Sequence, residues 1–303
     1  MRATFLNSKR WWLTAVLAAG LVGALLWCIA KRDETKVAQV LPSPNGYDDF
    51  FAAENQLEGG LPDLSNQTKE ELGRILAEHA STLKRAREGL ARDCRVPIDY
   101  SPGAATNIME HMALAKTLGL LLREDAHLAE MNSDYSKAMR GYIETMQFAS
   151  KRFHGGLLIH QLVGAALAKT AEARLELIIP NLKLQECQAG IGALLELERR
   201  EEPTTEVLRR DLLWARRVTG MGILQALVMR LLPQFRKPQV ASAARLQERT
   251  RSRRKVLLRL AARAYELDTG KAPLGPSELT PRYLPETLKD PDSGAPLTLG
   301  NGQ

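Results

Sequence analysis

The chain has 303 residues, a net charge of +7 and only 5% aromatic residues. Leu, Ala, Arg and Glu dominate, which favours helices over sheets. No nucleic-acid motif accompanies the positive charge, so neither DNA nor RNA is expected as a partner.

Residues 11–30, WWLTAVLAAGLVGALLWCIA, carry no charge and are flanked by Lys9-Arg10 and Lys31-Arg32. At 1.5 Å per residue such a helix is about 30 Å long, the thickness of a bilayer's hydrocarbon core. Trp11, Trp12 and Trp27 lie near its two ends, where interfacial rings settle. A cleaved signal peptide has a shorter apolar region, about 7–15 residues. Residues 1–32 therefore read as a short tail and a retained single-pass signal anchor spanning residues 11–30, in contact with membrane lipid. The basic residues on the two sides nearly balance, and a short tail is easily kept inside, so residues 31–303 are expected on the outer face.

After the anchor, about 270 residues suffice for one large domain or two small ones. Residues 33–67 hold Pro42, Pro44, Asn45-Gly46, Gly59-Gly60 and Pro62 and read as a tether. A helical domain is expected over 68–267. Leu72, Ile75, Leu76, Leu83 and Leu90 form one apolar stripe up to Arg92. Helices follow over 104–131, 135–152, 157–179, 182–200 and 206–218, with Ser133 or Asp134 capping the second and Pro180-Asn181 stopping the third. The helix at 157–179 is the most apolar and reads as the central one. Val218–Leu232 is apolar but short for a span and holds Arg230, which suits a buried or interfacial helix. Pro233 and Pro238 are expected to break the chain before a last helix over 241–267.

That last helix is two-sided at 100° per residue. Leu246, Leu257, Leu260, Ala261 and Ala264 share one face; Arg245, Arg251, Lys255, Arg259 and Arg263 share the other. Seventeen Lys and Arg against five Asp and Glu lie between Arg199 and Arg263, so the rest of the chain is slightly acidic. The basic face reads either as a solvated face or as a surface for anionic lipid headgroups or acidic partners. Residues 268–303 hold six of the fifteen prolines and form an irregular tail. A short helix is expected at 276–279 and a small strand at 297–299, with Leu274, Leu279, Tyr283, Leu284 and Leu288 as anchors onto the helices.

The tail, AAYELDTGKAPLGPSELTPRYLPETLKDPDSGAPLTL, resembles the segment that follows the long helix in type II secretion pseudopilins. The same pattern closes a group of single-anchor bacterial envelope proteins without an established activity. Tyr265, Gly270, Pro273, Leu279, Pro281, Tyr283, Leu284, Asp290, Pro291, Gly294, Pro296 and Leu297 carry the resemblance; Lys289 and Asp292 depart from it. The stretch 134–179 is similar to the helical body of that group and loosely to tetratricopeptide helix pairs. The resemblance implies an all-α array of helical hairpins, a bacterial inner-membrane location with a periplasmic domain, and a place near a secretion-type assembly. The N-terminus lacks the prepilin glycine and the Glu that follows it, so assembly as a pilin is not expected.

Few residues invite chemistry. Asp268-Thr269-Gly270 spells an aspartic-protease triplet, yet Gly270 suits a helix C-cap. The five histidines show no metal-ligand spacing. Asp290 and Asp292 are the candidates for Ca²⁺, as a thin pair of carboxylates. Cys94 and Cys187 leave pairing open. We therefore expect a non-enzymatic interaction or scaffold module with a protein partner, no cofactor and no small-molecule substrate. The alternatives are a metal-assisted hydrolase hidden in the helical body, or anionic-lipid binding by the helix at 241–267.

Overall fold

A computed structural model describes residues 39–64, 66–101, 108–220 and 233–299, without the side chains of Glu110 and of residues 233–239. The apolar stretch 11–30, with Trp11, Trp12 and Trp27, lies outside the described residues, as does the part of Val218–Leu232 beyond Gly220. Among the described residues every element is helical, and the only β pairing is an isolated antiparallel bridge between Lys289 and Pro296. The all-α expectation holds. Among the described residues no helix is long and apolar enough to cross a membrane.

The first helix corrects the expectation of a tether. Helix α1 (Gly46–Asn55) lies inside 33–67 and packs into the core through Phe50 and Ala53, followed by Leu57. Asn45 caps it: its side chain accepts the Tyr47 N–H at 3.2 Å and the Arg95 N–H at 3.0 Å. The prolines flank α1 instead of interrupting it, and Asn45-Gly46 starts a helix. A Cβ on Gly46 would stand 2.6 Å from the Gly89 carbonyl oxygen, so the two glycines permit the close crossing of α1 over its neighbour.

The stripe at 68–92 is two helices, α2 (Lys69–Glu78) and α3 (Ala80–Leu90), parted at His79, whose φ of −101° and ψ of 18° leave the helical region. Thr68 and Glu71 form a reciprocal capping box at the start of α2. Helices α4 (Ile108–Met131) and α5 (Tyr135–Lys151) form an antiparallel hairpin. Ser133 turns it at φ 59°, and Asp134 caps α5 by accepting the Lys137 N–H at 3.0 Å. Helix α6 (Leu158–Ile178) returns alongside α5, its Gly164 set against Ala149 and Phe153. The central helix is α5, not α6. It packs between α4 and α6 and buries Ala138, Met139, Tyr142, Met146, Phe148 and Ala149. The first half of α6, though apolar, stays partly open, with Ile159 at 36% and Ala166 exposed.

Helices α7 (Leu184–Arg199) and α8 (Thr204–Thr219) follow, and α9 (Pro233–Thr269) is 37 residues long. The expected break is absent. Pro233 opens the helix, where a missing N–H costs nothing, and α9 runs on through Pro238. Gly270, at φ 72°, ends it as the expected C-cap. The tail docks through Leu279, Tyr283, Leu284 and Leu288, after a 3₁₀ turn at Pro276–Leu279. Leu274, expected as an anchor, is 96% exposed, and the expected strand at 297–299 reduces to the single bridge. Cys94 and Cys187 are buried free thiols, which burial pushes up to about 12 and about 11.

Candidate functional site

The basic face of α9 is drawn partly into the body's own structure. Arg251 donates to Asp290 at 2.6 Å and to Glu248 at 2.6 Å, and also pairs with Asp292. At the two carboxylates named for Ca²⁺, a guanidinium pairs with both Asp290 and Asp292. Asp290 further accepts the N–H groups of Asp292 and Ser293 at 2.9 and 3.0 Å. The Arg251 hydrogen bonds and these backbone donors hold its carboxyl well below the usual range. Arg263 donates to the Pro180 carbonyl at 2.9 Å, and Arg259 lies 3.4 Å from Glu176. Arg245, Lys255 and Arg259 face solvent.

Three arginines that sequence reasoning missed face inward. Arg253, 2% exposed, donates to Glu201 at 2.7 Å; Arg249 pairs with the same carboxylate; Arg254 donates to Glu198 at 2.8 Å. Desolvation by burial, with Arg253 nearby, brings Arg249 down to about 9. A signal was present, because Arg249 and Arg253 fall on the same helical arc as Leu246, Leu257 and Leu260.

The contacts of Glu176 with Arg259 and of Pro180 with Arg263 lay α6 and α9 side by side, running the same way. Between their earlier parts opens a cleft of about 330 Å³. Leu162, Ala165 and Ala166 line it on α6, and Arg245, Glu248, Arg249 and Ser252 on α9. Ala165 and Ala166 on α6 and Ser252 on α9 leave space that larger side chains would fill. Lys169 and Glu172 complete its α6 wall. Glu172 is 2% exposed, and neither carboxylate oxygen has a hydrogen-bond partner of normal geometry. Burial raises its carboxyl above the ordinary value, against the opposing influence of Ser252, Arg253 and Arg249. Glu172 was also legible as an acid on the buried arc of α6, beside Ala168 and Leu175.

A second, more open groove of about 460 Å³ lies at α5 and α7. Its charged residues include Arg87, Asp125, Lys137 and Glu144, and Ile143 and Ala193 are among its apolar ones. Arg87 donates to Glu144 at 2.9 Å and to Asp125 at 2.6 Å.

Among the described residues no three His, Cys, Asp or Glu side chains are grouped to hold a metal ion. His127 lies beside Arg174 and Glu130, and Glu130 takes the Tyr142 hydroxyl. His160 accepts the Leu157 N–H at 3.1 Å in the first turn of α6. Asp268, of the protease-like triplet, takes the Tyr283 hydroxyl and pairs with Arg282. No family model, no curated protein and no solved structure matches the chain.

Proposed function

We propose that the chain is a non-enzymatic interaction module, held at a membrane by residues 11–30 and carrying an array of helical hairpins that receives a protein partner. The single observation that carries this reading is the way the first described helix is fixed within the body. Helix α1, the first described helix after the apolar stretch, is clamped into the core: Arg152 holds Glu54 through bonds of 2.6 and 2.9 Å, both side chains 0% exposed. A buried, two-pronged ion pair fixes one arrangement of the elements it joins. A body fixed this way suits a scaffold, which presents a constant surface, and the α5–α7 groove offers that partner a mixed charged and apolar rim. The pseudopilin-like tail supports a place beside a secretion-type assembly in a bacterial inner membrane, with the body on the periplasmic side.

A second reading, contact with anionic lipid, is favoured by the exposure of Arg245, Lys255 and Arg259 along α9. One experiment separates the two. A photo-crosslinking residue is placed at Ala193 in the groove, or at Lys255, in the full chain in its native membrane. A discrete protein adduct at Ala193 is the expected outcome. Lipid adducts at Lys255 with none to protein at Ala193 would move the conclusion to the second reading.

A further inference from the structure

The α6–α9 cleft has the composition of a binding site rather than of a packing defect. Its volume of about 330 Å³ is many times that of a water molecule and falls at the lower end of small-ligand pockets. One stretch of wall is apolar, formed by Leu162, Ala165 and Ala166. The side chains of Lys169 and Arg245 stand exposed at its edge. Glu172 belongs to the same wall, buried, with Ser252, Arg249 and Arg253 near it but no hydrogen bond of normal geometry on either carboxylate oxygen.

These features select a ligand by elimination. A plain cation meets Lys169, Arg245 and Arg249, which outnumber the lining acids Glu172 and Glu248, and Glu248 is already paired with Arg251, so it gains no net attraction. A plain anion satisfies the rim but leaves the buried Glu172 oxygens without a well-formed hydrogen bond and sets a like charge beside them. An uncharged apolar molecule leaves both ends unmet. A molecule with an ammonium group, an anionic group and a short apolar part answers all three surfaces. Glu172 is itself one of the cleft's lining residues, and neither of its carboxylate oxygens closes a hydrogen bond of normal geometry, so an ammonium can meet it there.

We propose that this cleft binds a small zwitterionic amphiphile, its ammonium on Glu172, its anionic group on Arg245 and Lys169, and its apolar part along Leu162, Ala165 and Ala166. The shared chemistry has two sources, a phosphoethanolamine lipid headgroup or a free apolar α-amino acid. The site goes beyond the interaction surface proposed above and does not depend on it.

The test is native mass spectrometry of the full chain in non-ionic micelles, titrated separately with lysophosphatidylethanolamine, L-leucine and lysophosphatidylglycerol. A one-to-one adduct is expected with one of the first two, and which one forms identifies the source. Lysophosphatidylglycerol, anionic without an ammonium, should bind about tenfold more weakly, and Glu172→Gln should weaken the adduct about tenfold, as loss of one charge-assisted pair predicts. Arg245→Ala, at an exposed position that leaves the core intact, should weaken it several-fold and keeps the test decisive if E172Q does not fold. The proposal is overturned if neither probe forms an adduct, if lysophosphatidylglycerol binds equally well, or if binding survives in the folded variants.

Discussion

His160 shows how a single side chain ties folding to pH. Its Nδ1 accepts the Leu157 N–H at 3.1 Å, which requires the neutral ring, and it is 6% exposed. Burial first, then the charges of Arg152 and Arg210 and the nearby His111, lower it from 6.5 to about 3. A base whose folded value is depressed contributes stability that is complete above its unfolded value and is lost as pH falls below it. Stability should therefore drop between pH 6.5 and pH 3, with about 2 kcal/mol gone from this group by pH 5. Urea denaturation at pH 8 and pH 5 measures that loss. His160→Gln, whose amide oxygen can still accept the Leu157 N–H, should reduce it, and an equal loss in the variant would show that other groups are responsible. The Glu54–Arg152 pair and Glu172 show the same principle at work: a charged group inside is either matched closely or left as a liability that points to a ligand.

At the scale of elements, α1 is the piece whose attachment defines the body. Two charged networks hold it: Arg152 on Glu54, and Arg85 with Arg92 on Asp49, which is 1% exposed. The Tyr47 ring lies 4.4 Å from the Arg152 guanidinium, adding a cation–π contact. Arg152→Ala strands the Glu54 carboxylate in the core and should cost about 3–5 kcal/mol. The double variant Glu54→Leu, Arg152→Met, which removes both charges, should recover most of that in chemical denaturation followed by circular dichroism. If the single and double variants are equally destabilised, lost packing rather than an unpaired charge sets the cost. Close approach matters here as much as charge, since the α1–α3 crossing depends on Gly46 and Gly89 lying against each other.

For the whole molecule, the tail is the test of cohesion, because it closes on α9 through a few named contacts. Arg251 gathers Asp290 and Asp292, while Tyr283 and Asp268 form a separate attachment nearer the helix. Arg251→Ala should loosen the turn around Asp290 while leaving Leu279 and Leu284 packed. Limited proteolysis within residues 285–299 should speed up roughly fivefold, with little change in the helical melt. A fall in the global melting temperature matching that of a core variant would mean that the tail and the helices unfold as one unit.

Much of the helical layout was readable from local order alone. Periodicity and caps located α4 to α8 to within a few residues, along with Asp134 as a cap and Gly270 as a terminus, because these depend on residues three or four apart. Helix α1 was hidden because prolines and glycines nearby signal a loop, and only packing of Phe50 and Ala53 against distant helices makes a ten-residue helix worthwhile. The continuation of α9 through Pro238 was hidden for the same kind of reason. The basic face of α9 was visible as a pattern, but its chemistry was not. Whether Arg251 meets lipid, a metal-binding pair or Asp290 depends on a tail some forty residues away, as Arg253 depends on Glu201 some fifty away. The amino-acid order by itself determined the helical class, most of the helix ends and the arcs on which charges lie. Tertiary structure alone decided which charges are consumed inside the body, and that Glu172 is buried beside Ser252, Arg249 and Arg253 without a hydrogen bond of normal geometry, because electrostatic partners are chosen by distance in space.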